Sequence, residues 1–134
     1  MKALDTPVLL ALLDGEPAAR ELLRRLRGHE VATTEGNLLE LAVLAGRSGG
    51  RGAARREALT RLRRRITVLP LDERALEEAA RRSARGELGG ATPLVAGMLA
   101  ALEVAGCDEL VSDGSLPSGK WRFRVSRLGR SHSK

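Results

Sequence analysis

Residues Thr92–Val111 read TPLVAGMLAALEVAGCDELV, and this stretch decides the fold. Thr followed by Pro is a helix start, because the hydroxyl satisfies an open N–H and proline's fixed φ suits the first turn. From there to Gly106 the residues are apolar on nearly every side, with Gly97, Ala100 and Ala101 small enough for close approach. A helix without a polar face belongs in an interior. It carries Glu103 and falls short of the roughly 20 residues that span a bilayer, so that interior is a protein core. Gly106 ends the helix and Glu109–Val111 reads as a short strand.

Working outward, the same alternation repeats. Lys2–Leu4 is a short apolar run ending at Asp5, and Thr6-Pro7 starts a helix through Val8–Leu13 with Thr6 as its expected cap. After the Asp14-Gly15 break, Pro17 opens a helix to about Arg27 with Ala18, Leu22, Leu23 and Leu26 inward. Glu30–Thr33 reads as a strand, and Thr34 caps a helix carrying Leu38, Leu39, Leu41, Ala42 and Leu44. Gly46–Gly52 is a break, followed by a helix to about Arg65 with Ala54, Ala58, Leu59 and Leu62 inward. Ile66–Leu69 is the clearest strand. Asp72 caps a helix to about Arg85, Glu87–Ala91 is a loop, and Trp121–Val125 is expected as a last edge strand. Strands separated by helices predict an α/β fold, with a mostly parallel sheet covered on both faces. The domain is expected over residues 1–127, with a loose basic tail over 128–134.

Composition narrows the function. The chain has 134 residues, 43% apolar and 30% charged, so one domain with a real core is expected. Tyr is absent and the aromatics are Trp121 and Phe123, which excludes a broad base-stacking sheet. The single cysteine, Cys107, excludes an internal disulfide or a cysteine zinc site, and His29 and His132 are too few for a histidine-rich centre. No secretory leader is legible in Met1–Leu13, so a cytoplasmic location away from membranes is expected. The net charge of +6 favours a polyanionic partner.

The candidate chemistry lies at strand ends. In open α/β sheets, ligands collect beyond the carboxyl ends of the strands. Asp5 follows the first strand, Asp113 follows the last core strand, and Glu40 lies about two turns into the helix capped by Thr34. Acids converging from distant parts of the chain suit a hard cation such as Mg²⁺ or Mn²⁺. Local capping by Asp5 and a solvated Glu40 are the competing reading.

These segments resemble the PIN domain family, small α/β nucleases that include the VapC-type toxins of bacteria and archaea. The opening LDTPVLLALLDGE is similar to the family's first motif and VATTEGNLLELAVLAG to its second. The run ITVLPLDERALEEAARRSARGELGGATPLVAGMLAALEVAGCDELVSDGS follows its C-terminal half, so the likeness spans roughly Met1 to Val125. The resemblance implies a three-layer fold and metal-dependent hydrolysis of RNA phosphodiesters. It matches Asp5 to the first acid and Glu40 to the second. Thr92 stands where the third acid normally opens the buried helix. The fourth acid's place falls on Gly114, with Asp113 one residue short. Glu87 is a candidate to compensate, and Thr6 and Ser112 match polar positions near the site. The implied partners are RNA, an antitoxin protein over the acidic crevice, and a second copy in a homodimer.

Arginine clusters supply the candidate RNA surface: Arg55, Arg56, Arg61, Arg64 and Arg65 on one helix, with Arg122 and Arg124 near the C-terminus. Plain solvated helix faces are the competing reading. Two rival functions follow. One is a catalytically degenerate PIN domain that binds RNA or protein without cutting, and Thr92 is the feature that discriminates it. The other, a phosphate-accepting receiver domain, needs an acidic pair beside the first strand and a lysine directly after the last, both absent.

Overall fold

The computed structural model describes residues 1–47, 49–113, 116 and 119–129. Five strands, β1 (Lys2–Leu4), β2 (Val31–Thr34), β3 (Thr67–Leu69), β4 (Glu109–Ser112) and β5 (Arg124–Arg127), form one sheet in the order β3-β2-β1-β4-β5. Every pairing is parallel, with Ala3 opposite Ala32 on one side and Leu110 on the other. The helices are α1 (Thr6–Leu13), α2 (Pro17–Arg25), α3 (Glu35–Gly46), α4 (Gly52–Arg63), α5 (Glu73–Ala84) and α6 (Pro93–Val104). A single 3₁₀ turn, Gly49–Arg51, leads into α4.

Strand alternation divides the core in two. Leu4 and Val111 point to the side holding Val8 and Leu9 of α1, Leu22 of α2 and Leu41 of α3, with Leu59 and Leu62 of α4 against them. Ala3, Ala32 and Leu110 point the other way, onto Leu99 and Leu102 of α6 with Cys107 and Phe123. The result is the expected α/β layering around a parallel sheet. Leu4, Leu9 and Leu41 are fully enclosed, and each such side chain contributes about 1.5–3 kcal/mol.

Four of these helix starts, those of α1, α3, α5 and α6, are set by a short polar side chain. Asp5 caps α1 on Val8 N–H, Thr34 caps α3 on Asn37, Asp72 caps α5 on Ala75 and Thr92 caps α6 on Val95. The α1 cap is therefore Asp5 rather than Thr6. The strand delivers Asp5 in extended conformation, and Thr6 and Pro7 become the first two helical residues. α6 buries more residues than any other described helix: Ala96, Gly97, Leu99, Ala100, Ala101 and Leu102. Its small residues allow close crossings. A Cβ on Gly36 of α3 would lie 2.8 Å from Met98 Cγ, and one on Gly97 would lie 3.1 Å from Leu71 Cδ1.

Other differences from expectation are local. The edge strand begins at Arg124 rather than Trp121, because Trp121 stacks on Phe123 and lies beneath the Arg82 guanidinium. Leu23 of α2 is 40% exposed, while Ala19 and Leu22 face the core. Leu128, assigned by its sequence to the tail, is buried, and its N–H donates to Ser112 O. The rest of that tail, from Arg130, lies outside the described residues, as does Gly114. Among the described residues, no helix is long and apolar enough to cross a membrane.

Candidate functional site

Parallel pairing brings the ends of β1 and β4 side by side, with Leu4 opposite Val111. Asp5 follows Leu4, and its N–H donates to Val111 O at 3.2 Å. One carboxylate oxygen of Asp5 accepts from Val8 N–H at 3.3 Å, the other from the Ser112 hydroxyl in a short hydrogen bond. Burial pushes the Asp5 carboxyl above its ordinary range. Hydrogen bonds from Ser112, Val8 and the Asp113 backbone oppose that rise, and the negative charge of Asp113 adds to it. A carboxylate kept against that desolvation, at the mouth of a strand, is a candidate for chemistry.

A second acid is fixed by a directed chain of hydrogen bonds. The Thr34 hydroxyl donates to Asn37 Oδ1 at 2.7 Å, orienting the amide. Asn37 Nδ2 donates to Thr6 Oγ1 at 3.0 Å, and the Thr6 hydroxyl donates to Glu40 Oε1 at 2.6 Å. The Thr6 hydroxyl has one proton, and Glu40 is its nearer acceptor, at 2.6 Å against 3.4 Å for Asn37 O. Thr6 is buried and Glu40 half-buried. Asn37 was not among the residues expected from sequence, and Thr34 was expected only as a helix cap. The signal was present: Asn37 is the lone asparagine, three residues after Thr34 and three before Glu40, which is one helical face.

Asp5, Thr6, Asn37, Glu40 and Ser112 line one crevice, whose apolar wall is Val95, Met98, Leu99 and Leu102 of α6 with Leu110 and Leu116. Asp113 is half-buried at the edge of Asp5. Thr92 is exposed and its hydroxyl is committed to Val95 N–H at 3.3 Å, so it serves the helix. Glu87 lies 3.9 Å from Arg82 Nη1 and does not line the crevice. Among the described residues, no three His, Cys, Asp or Glu side chains gather closely enough to cage a metal ion. Asp5 and Glu40 line the crevice without forming a preformed cage, and Asp113 lies next to Asp5 but not in the crevice lining.

Beside the crevice, Leu39, Val43 and Leu44 of α3 are 60%, 42% and 39% exposed, next to Pro7, Glu40 and Arg47. The candidate RNA arginines divide. Arg55 is bound by both oxygens of Asp14, Arg122 Nε lies 3.5 Å from Glu103, and Arg124 Nη2 lies 3.3 Å from Glu109. Arg56 and Arg64 are exposed, while Arg61 and Arg65 edge an apolar groove between α2 and α4.

The model of the PIN domain matches residues 2–102. No curated protein matches significantly in sequence. Solved structures with the same fold include VapBC2 from Rickettsia felis bound to a promoter DNA fragment, at 12% identity and a TM-score of 0.74, covering 96% of this chain and 98% of that one. DNA-bound VapBC from Salmonella typhimurium gives 17% identity and a TM-score of 0.73 over the same shares. VapC20 of Mycobacterium tuberculosis, described as a toxin that cleaves the sarcin-ricin loop, gives 20% identity and a TM-score of 0.61, covering 82% and 87%.

Proposed function

Because this chain belongs to the PIN domain family, we propose that it is a VapC-like nuclease that hydrolyses RNA phosphodiester bonds with Mg²⁺ or Mn²⁺, acting in the cytoplasm as the toxin of a toxin–antitoxin pair. The observation that carries this reading is the convergence of Asp5 and Glu40 on one crevice at the strand ends. PIN nucleases generally use divalent metal ions. The donor set fits one: two carboxylates with hydroxyl neighbours are hard oxygen donors, and Mg²⁺ commonly takes one or two carboxylates and completes its shell with water and substrate phosphate. Asp5 and Glu40 would hold the ion, with Asp113 assisting, and the bound ion would supply an acidified water and charge neutralisation at the phosphate.

The chain's own contribution is placement. Ser112 and Val8 fix the two oxygens of Asp5, so its carboxylate faces the crevice without rotating. Thr6 fixes Glu40, and Asn37 fixes Thr6. The α6 wall of Val95, Met98 and Leu99 keeps water from one side. The exposed apolar strip of α3 beside the crevice suits an antitoxin segment or a second copy, either of which would cover the acids. With only two carboxylates opening directly on the crevice, affinity for the free ion should be weak.

Thr92's engagement as a helix cap favours a second reading, a PIN domain that binds RNA or protein without cutting. One experiment separates them. The parent should cleave RNA with Mg²⁺ or Mn²⁺, gain thermal stability with Mn²⁺, and lose both in Asp5→Asn. RNA binding without cleavage or a metal shift would establish the second reading.

A further inference from the structure

The outer ends of α5 and α6 meet in a cleft that the acidic crevice does not use. It is lined by Arg74, Arg81, Arg82 and Arg85 of the α5 segment, Lys120 and Arg122 before β5, and Glu78, Glu103 and Val104. On α5 these residues recur at helical spacing, which puts them on one face. We propose that this cleft binds the phosphate backbone of RNA. The proposal rests on the reading of the chain as an RNA-directed protein.

The cleft is built around a buried charge. Arg82 is 7% exposed and donates Nε to Glu78 at 2.7 Å, Nη2 to Glu103 at 3.2 Å and Nη1 to Lys120 O at 2.9 Å. Its guanidinium lies 4.0 Å from the centre of the Trp121 ring. This hub ties α5, α6 and the approach to β5 into one wall, and its geometry uses Glu78 and Glu103. Arg81 also reaches Glu78, and Arg74 Nη2 donates to Val104 O at 3.2 Å. Arg85 and Lys120 are exposed, and the Arg122 side chain is 91% exposed despite its contact with Glu103.

Charge arithmetic decides the sign. Six cations face Glu78, Glu103 and, at the edge, Glu87. The C-terminal ends of α5 and α6 each add about half a negative charge. A surplus of about two positive charges remains, concentrated on one concave surface. The arginines of α4 and of the turn after it do not converge in this way: Arg61 and Arg65 edge one groove, Arg63 another, and Arg55 is held by Asp14.

The lining also selects the kind of partner. Among the described residues lining the cleft, Val104 is the one apolar side chain. A protein partner would find no apolar centre to bury, whereas nucleic-acid interfaces are polar, hydrated and cationic. Arginine forks match phosphate oxygens in pairs.

Trp121, the only tryptophan, makes the cleft report on itself. Single-stranded RNA titrated onto the intact protein in EDTA should change Trp121 emission and bind with a log K that falls linearly with log[salt]. Arg81→Ala, Arg85→Ala and Lys120→Ala together should make that slope shallower by about 2, at roughly 0.7 per lost phosphate, and remove the emission change. Arg85→Glu with Lys120→Glu, both exposed positions, gives the same direction with less risk to the fold. Arg61→Ala, Arg64→Ala and Arg65→Ala should leave the emission change intact. An unchanged slope in the cleft variants, with loss of binding in the α4 variant, overturns the proposal and leaves the RNA reading standing. No RNA binding by the parent overturns both, and capture of an acidic peptide in place of RNA overturns the proposal in favour of a protein partner. Working without metal keeps binding separate from cleavage.

Discussion

Arg55 of α4 closes on Asp14, the residue that ends α1, with Nε 2.8 Å from Oδ1 and Nη2 2.6 Å from Oδ2. An acid at a helix C-terminus opposes the helix dipole, and the arginine offsets it while tying two helices through residues 41 positions apart. An arginine expected to meet RNA thus serves the fold.

Arg55 beside Asp14 holds that carboxyl below its ordinary value of 3.8. The stability this contributes is complete above 3.8 and is lost as pH falls through the lower folded value. Thermal melts of parent and Asp14→Asn should therefore differ at pH 7 and converge in strong acid. The difference at pH 7 should be small, as for other part-exposed pairs.

Asp5 carries the opposite sign. Its folded carboxyl is raised by burial, so stability is greatest below the ordinary carboxylate range and falls as pH rises through the raised value. At pH 7 the group therefore favours the fold less than it does in acid. Asp5→Asn, which keeps the cap, should melt at or above the parent's temperature at pH 7 and lose that advantage near pH 4, while abolishing cleavage. A variant that melts well below the parent at pH 7 would show that the charge stabilises the fold.

Asn37→Ala removes the middle of the chain that reaches Glu40. It leaves Thr6 and Thr34 short of partners in a buried place, which costs about 1–3 kcal/mol. Urea unfolding measures that loss. Cleavage should fall as well, and Asn37→Asp should not restore it, because a carboxylate offers no amide donor to Thr6.

Thr92→Asp should leave the metal-free melting temperature nearly unchanged, since Asp caps a helix as well as Thr and suits its N-terminus. Mn²⁺ should then raise the melting temperature further than in the parent, by linkage to the ion bound. Thermal shift with and without Mn²⁺ checks this.

Leu39→Glu should weaken association with an antitoxin or a second copy without lowering stability, because Leu39 is 60% exposed. Sedimentation and melting of the variant give the two readouts.

Most helix starts were legible because a cap is a local event: Thr34, Asp72 and Thr92 were each read from a single polar residue ahead of a helical pattern. Asp5 and Thr6 compete for one cap, and strand pairing settles it by delivering Asp5 extended. What depended on distant pairing was not legible. The sequence gives no reason to bury Leu128, which closes the core only because β5 runs beside β4. Glu78 and Arg82 look like solvated helix charges until Trp121 and Glu103 arrive from other elements. Asp5 and Glu40 were legible as residues, and their shared crevice follows from parallel strand order. The Asn37 relay needed the fold to bring Thr6 against α3.

The contact of Gly36 with Met98 has a mechanical consequence. The gauge of the crevice is set by a hydrogen atom, because Gly36 of α3 presses on a residue that forms the crevice wall. Any side chain at 36 becomes a wedge. If α6 holds its place in the core, the Met98 thioether must swing away from α3, and one direction open to it is the crevice itself. A methyl group at 36, about one helical turn from Glu40, would then act as a plug, blocking entry while every carboxylate remained.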